Sequence, residues 1–359
     1  MVTLKKIIVL IAFCIGVLSI NAQDLKVVSS GQGITENEAT KAALRNALED
    51  AFGAFISSST KIENDILVSD EIVSLTQGNI KSYNIITSLL LADNLYSVTI
   101  ESVVSLNKLS SYCESKGMSV SLNGEAFGME FAMREFNRLN EIKVLKNLCV
   151  QLLSMNPNIY DCKLNVTEPQ IGDPNPFLGI KKNSAVVKVL VRPRTNSNYA
   201  VMEKHIKQTL ATISLKKAEI KTYKKLGIPF YNNHFYSNDT KMYYLRDENA
   251  INILKNFFFK FRELVSGNWL IIDSVKGNIT FDDNIKRDEI SFGLTKGKDK
   301  DFGFLLPEFE NIAVKLVLVY SMDEVSQLKS INIEPFYKER YETKIKPQLL
   351  KIISRFDDI

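Results

Sequence analysis

A run of alanines at helical spacing constrains this chain more than any other feature. Ala39, Ala43, Ala47 and Ala51 recur every four residues, with Ala42, Leu48, Phe52 and Phe55 beside them. That period describes a helix with one apolar stripe. Lys41, Arg45, Glu49 and Asp50 fall largely off it. Small side chains let a helix lie close to a flat partner, so a sheet is expected beneath this one. Thr35-Glu36-Asn37-Glu38 precedes the stripe and reads as a capping box, the Thr35 hydroxyl accepting from the Glu38 amide while Glu38 reaches back. Leu25 to Val28 is a short strand, and Gly31-Gln32-Gly33 reads as the tight turn from strand to helix. Residues 57–66 read as a loop and 69–78 as a short second helix. Asn79 to Leu91 and Leu95 to Leu106 are strands around the turn Ala92-Asp93-Asn94. In the second strand Tyr96, Val98, Ile100, Val104 and Leu106 share one face, with Ser97, Thr99 and Glu101 opposite. Period two predicts a half-buried antiparallel strand. The expected fold class is α/β (α+β), a helix packed on a short, mainly antiparallel sheet.

The two glycines do not make a nucleotide loop. A dinucleotide fingerprint needs a third glycine where Glu36 stands, and a carboxylate there would repel pyrophosphate. No Walker A sequence occurs. The order is instead Gly31-Gln32-Gly33-Ile34-Thr35, then Glu38-Ala39, Ala42, Asn46-Ala47, Ala51-Phe52-Gly53, Thr76-Gln77-Gly78, Tyr83, and Tyr96 to Ile100 with Val104. This pattern resembles the amino-terminal domain of flagellar assembly protein T and related small outer-membrane lipoproteins, over about residues 24–116. The resemblance implies an exported α/β module that serves envelope assembly without an established catalytic role.

Residues 1–23 read as a signal peptide. Lys5 and Lys6 form a positive start, and Ile7 to Ile20 is an apolar run of 14 residues, short of the ~20 needed to cross a bilayer. Ala22 offers a small residue for cleavage. Cys14 follows Phe13 inside the run, which is not a lipid-attachment context. Loss of Lys5 and Lys6 from 45 Lys+Arg leaves 43 against 41 Asp+Glu, a net +2. So neutral a chain has no global field for nucleic acid. No later stretch has the length of a transmembrane helix. The protein is therefore expected in the periplasm or at the cell surface, with an envelope protein as partner and peripheral outer-membrane association as an option.

An exported chain meets oxidising conditions. Cys149 and Cys162 flank the turn signal Asn156-Pro157-Asn158, so they read either as a disulfide or, with Cys113, as small buried hydrophobes.

Beyond the first module, 125–155 reads as a long helix with Phe127, Phe131, Phe136, Leu139, Ile142, Leu145, Leu148 and Leu152 on a core stripe. Strands are expected at 159–168 and 184–192, the second ended by Pro193, with a rigid polar loop from Pro169 to Pro176 between them. A helix at 198–213 completes a second α/β module over 118–225. Gly227, Pro229 and Asn232-Asn233 mark a boundary at 226–246. A third module, 245–359, holds a helix at 248–266, strands near 269–281, 287–295 and 312–320, and an apolar-sided terminal helix interrupted at Pro347.

Chemistry is sparse. With two histidines there is no His-x-x-x-His spacing for zinc, and no Gly-x-Ser-x-Gly elbow. No catalytic residue, metal ligand or cofactor is assigned. His205 reads as a surface residue. Tyr231, His234, Phe235 and Tyr236 form an aromatic loop that could line a ligand site. Asp282, Asp283, Asp288 and Glu289, with Asp273 nearby, read as turn acids. Asp273-Ser274-Val275 resembles an O-glycosylation acceptor. The expected function is non-catalytic binding or scaffolding in the cell envelope through protein–protein contacts. Two alternatives stay open: an envelope hydrolase built on His234 and the 282–289 acids, and a surface adhesin using the aromatic loop.

Overall fold

The computed structural model describes residues 24–58, 78–91, 94–115, 126–235, 241–265, 267–274, 289–292, 313–335 and 339–359. The expected signal peptide, the 57–66 loop after Ser58, most of the 69–78 helix, and the acids Asp282, Asp283 and Asp288 lie outside them. The chain divides into two units, residues 1–89 with 95–140, and 90–94 with 141–359. Small antiparallel sheets with packed helices make up both, a mixed α/β architecture.

In the first unit β1 (Asp24–Gly33), β2 (Ile80–Leu90) and β3 (Tyr96–Ser105) form a sheet in the order β1-β3-β2. β1 runs antiparallel to β3, from Asp24 opposite Ser105 to Gly33 opposite Tyr96. Helix α1 (Glu36–Ser58) packs on β1 and β3. Ala39 and Ala43 bury against Val98 and Ile100. Ala47, Ala51, Leu48 and Phe52 bury with Leu25, Val27, Val104 and Phe136. The capping box forms: the Glu38 amide donates to Thr35 Oγ1 at 3.2 Å, and Glu38 Oε2 accepts from the Ile34 and Thr35 amides.

Two readings change here. Gly31 and Gly33 are not a turn; they are the last residues of β1. A Cβ on Gly31 would stand 2.2 Å from the Ala43 nitrogen and 2.4 Å from the Ala39 oxygen. The glycines are needed for close approach of strand to helix, not for an unusual φ. β3 is also buried on both faces, Ser97 and Thr99 included. As the central strand it shelters its short hydroxyls, and Thr99 Oγ1 lies 2.9 Å from Ser30 Oγ. Helices α2 (Leu106–Ser115) and α3 (Ala126–Ser154) follow. Residues of α3 up to Asn140 belong to this unit.

The second unit merges the two later modules expected from sequence. β6 (Ala185–Thr195) pairs β4 (Tyr160–Val166) and β5 (Gln170–Ile171) on one side and β11 (Val314–Tyr320) on the other. Residues from 118–225 and 245–359 thus share a sheet, and 226–246 is no boundary. That stretch forms β7 (Tyr231–Phe235) paired to β8 (Lys241–Leu245), with Tyr243 and Leu245 buried. Pro193 does not end β6. It lies opposite Cys162, past the point where β11 stops at Val191. Among the described residues only β4 flanks it there, an edge position that tolerates proline.

Helices α4 (Ser197–Ile213), α5 (Lys217–Leu226) and α6 (Glu248–Val265) precede a sheet of β9 (Gly267–Asp273), β10 (Glu289–Phe292) and β12 (Ile331–Pro335), ordered β10-β9-β12. Short helix α7 (Met322–Gln327) follows β11. Helix α8 (Glu339–Ser354) runs through Pro347 without interruption. Pro347 is exposed while Ile345, Leu349 and Ile353 are buried, and α8 packs on α6. The lost backbone bond faces solvent, and the buried face holds the helix together. Its apolar side is therefore covered by its own unit.

Candidate functional site

Three ionisable groups, Glu141, Arg246 and Glu219, converge in the second unit. Glu141 comes from α3, Arg246 from the turn between β8 and α6, and Glu219 from the first turn of α5. Glu141 is 1% exposed. Its Oε1 accepts from the Arg246 amide at 2.7 Å and the Asp247 amide at 3.3 Å; its Oε2 accepts from Arg246 Nη1 at 2.9 Å. Arg246 Nη1 also donates to the Ile213 carbonyl at 2.8 Å, and Nη2 to Glu219 Oε1 at 2.9 Å. Asp247 Oδ1 caps α6 by accepting from the Ala250 amide. Burial pushes the Glu141 carboxyl up to about 7, against the opposing pull of the Arg246 guanidinium and the two amides. Both carboxylate oxygens are occupied by donors, so the cluster acts as a clamp on three elements. The spacing of 105 residues between Glu141 and Arg246 leaves no local signal in the sequence.

His205 corrects its sequence reading. It lies on the buried face of α4 with Met202, Ile206, Thr209, Leu210 and Ile213, and is 1% exposed. Neither ring nitrogen has a partner, nor does Thr209 Oγ1 one turn on. Burial pushes the imidazole down to about 4, so it stays neutral at physiological pH. The 202, 205, 206, 209, 210, 213 spacing was the available signal.

The aromatic group is not a loop along most of its length. Tyr231, His234 and Phe235 lie on β7, with His234 in register with Met242. Tyr231 is half-buried, and desolvation together with the nearby Glu248 carboxylate pushes its phenol up. Tyr236 lies outside the described residues. Asp273 is buried and accepts from the Tyr320 hydroxyl at 3.0 Å. Glu289 opens β10. Ser274 Oγ accepts from the Lys329 and Ser330 amides, a structural use of the hydroxyl. Among the described residues no three His, Cys, Asp or Glu side chains gather to hold a metal ion.

Cys149 and Cys162 are free thiols, so the disulfide entertained from their spacing is not formed. Cys149 is fully buried on α3 beside Leu148 and Leu152, whereas Cys162 is half-buried on β4. Burial raises both thiols, Cys162 to about 12, which leaves neither reactive.

The first unit offers a different kind of site, its sheet edges. At β1 the Val28 amide donates to Asn140 Oδ1 at 3.2 Å, and Asn140 Nδ2 donates to the Val28 carbonyl at 2.9 Å. One side chain thus imitates a neighbouring strand. Asn46 Nδ2 donates to the Ser30 carbonyl at 2.8 Å. At β2 Lys81, Ser82, Tyr83, Asn84 and Ile85 are exposed in succession, as is Leu90. No charged residue occurs from Ser82 to Leu90. Uncharged, β-prone edges without proline or inward charge are the ones that add strands.

No family model, curated protein or solved structure matches the chain. Among the described residues no helix is long and apolar enough to cross a membrane.

Proposed function

We propose that this is an exported, non-catalytic protein of the cell envelope that binds or scaffolds through protein–protein contacts, taking an extended segment of its partner onto the edge of β2. The observation that carries the reading is the inequality of the two edges: β1 is blocked by Asn140 and Asn46, whereas β2 keeps Tyr83 and Ile85 exposed on an uncharged strand. Strand addition uses such an edge, with main-chain bonds for affinity and alternate side chains for selection. The resemblance of residues 24–116 to envelope-assembly modules supports the same reading, as does the signal-like segment 1–23.

The test is a photo-crosslinking amino acid at Asn84, with Lys26 of β1 as control, in cells that make the protein. A protein adduct is expected from position 84, absent from position 26 and abolished by Ile85→Lys. Equal adducts from both positions, or an adduct insensitive to Ile85→Lys, sink the strand-addition reading. Cleavage is checked separately by mass spectrometry of the mature amino terminus, expected just past Ala22; retention of Lys5 and Lys6 rules out a cleaved signal in favour of an uncleaved anchor.

A further inference from the structure

The loop between β5 and β6, expected to be rigid and polar, is not polar at its tip. Asn175 to Ile180 close on themselves: the Asn175 amide donates to the Ile180 carbonyl and the Ile180 amide to the Asn175 carbonyl, both at 2.9 Å. Inside this ring the Phe177 amide donates to Asn175 Oδ1, the Leu178 amide to the Asn175 carbonyl, and the Gly179 amide to the Pro176 carbonyl. Pro174 and Pro176 have no N–H to satisfy. Gly179 sits at φ +70°, and Ile180 is buried beneath the ring. The tip therefore carries no unpaired backbone donor. From Pro174 to Ile180 it also carries no charge. It presents Phe177, 99% exposed, with Leu178 more than half exposed. Lys181 and Lys182 follow at once, both exposed, in a turn closed by the Ser184 amide on the Lys181 carbonyl; Asp173 precedes the tip.

We propose that this tip inserts into a bilayer surface bearing anionic headgroups, Phe177 and Leu178 entering the acyl boundary while Lys181 and Lys182 stay among the phosphates. Unpaired backbone groups are what usually keep a loop out of a low-dielectric phase, and every backbone N–H from Asn175 to Ile180 is paired within this tip. Two lysines at the base of an apolar protrusion match a negative lipid surface. A protein pocket would accept Phe177 equally well but gives no reason for the paired lysines. One tip binds weakly, as single anchors do. The proposal stands apart from strand addition at β2 and does not depend on it.

The experiment is co-sedimentation of the purified protein with vesicles of phosphatidylglycerol and phosphatidylethanolamine, and with phosphatidylcholine vesicles as the neutral arm. Binding to the anionic vesicles is expected, with Phe177→Ser lowering the partition roughly tenfold or more. Lys181→Gln with Lys182→Gln should flatten its salt dependence. Any contribution of the apolar run 7–20 is common to all these proteins. A second readout is free of it: Phe177→Trp should add emission that shifts to the blue on anionic vesicles. Unshifted emission, or equal sedimentation of the Phe177→Ser variant and the parent, overturns the proposal. So does a photo-crosslinker at position 177 that yields a protein adduct in envelope extract and none with vesicle lipid.

Discussion

The two units pack their helices by opposite means, the first against a sheet and the second largely against another helix. In the first, four alanines and Gly31 bring the α1 and β1 backbones into contact. In the second, α6 fills its side of the core with bulk: Phe257 stacks on Phe261 at 5.2 Å and meets Phe258 edge-on at 5.6 Å. The second unit also buries an ionic clamp. The contrast teaches where each unit is brittle. The first is sensitive to added atoms, the second to lost ones and to unpaired charge.

The largest expected effect comes from breaking the clamp. Arg246→Met leaves Glu141 buried without its partner and should cost about 3–5 kcal/mol. Glu141→Leu combined with Arg246→Met should recover only part of that loss: the apolar pair removes the unpaired charge, but the Arg246 and Asp247 amides lose their acceptor. Urea titration monitored by the single tryptophan, Trp269 on β9, reports on the second unit alone. A double variant no more stable than Arg246→Met would show that the clamp holds the unit by something other than charge.

Next comes a pH experiment. His205 has a folded value of about 4 against its ordinary 6.5. The unfolded chain therefore binds more protons in that window, and His205 makes stability rise with pH from 4 to 6.5. Glu141 lies at about 7 against its ordinary 4.5. Here the folded chain binds more protons, and stability falls as pH rises from 4.5 to 7. Each slope is worth about 3 kcal/mol across its window, and the two oppose each other between 4.5 and 6.5. The parent should show a nearly flat urea midpoint there. His205→Leu should leave the falling limb exposed. A variant as flat as its parent would mean that the two groups do not offset.

The smaller effects sharpen the picture of the first unit. Gly31→Ala drives a methyl into the α1 backbone and should cost about 1–3 kcal/mol. Gly53→Ala, with nothing within 4 Å of its added Cβ, should stabilise by about 0.5–1 kcal/mol through helix propensity alone. Thermal unfolding of both variants reads the difference in sign. A neutral Gly31→Ala would mean that the helix can lift off the strand.

What could be read from sequence was what neighbours along the chain decide. The alanine stripe, the Thr35–Glu38 box, β3, α3 and α6 all announce themselves within a window of a few turns. The β6–β11 pairing unites residues over a hundred positions apart, and no local pattern carries it, so one unit read as two modules. The β7–β8 strands hid behind Gly227, Pro229 and paired asparagines, whose turn preference is overridden by the burial of Tyr243 and Leu245. α5 is mostly polar, with Tyr223 its buried residue, too thin a stripe to register. Pro347 misled because a proline on a wet helix face costs less than one inside. The edges of a sheet are set by which strands find each other, so the seal that Asn140 places on Val28 was out of reach.

That seal bears on how the protein is made. Val28 is held from outside by a residue 112 positions later, so a nascent chain reaching only to residue 115 has β1, β2 and β3 but lacks this amide on its flank. During that interval β1 keeps its Asn46 contact at Ser30, but its Val28 stretch would be available to sister chains along with β2. Early truncations should therefore clump where longer ones stay dispersed, and a chaperone that holds the first hundred or so residues until Asn140 arrives would have a physical reason to exist.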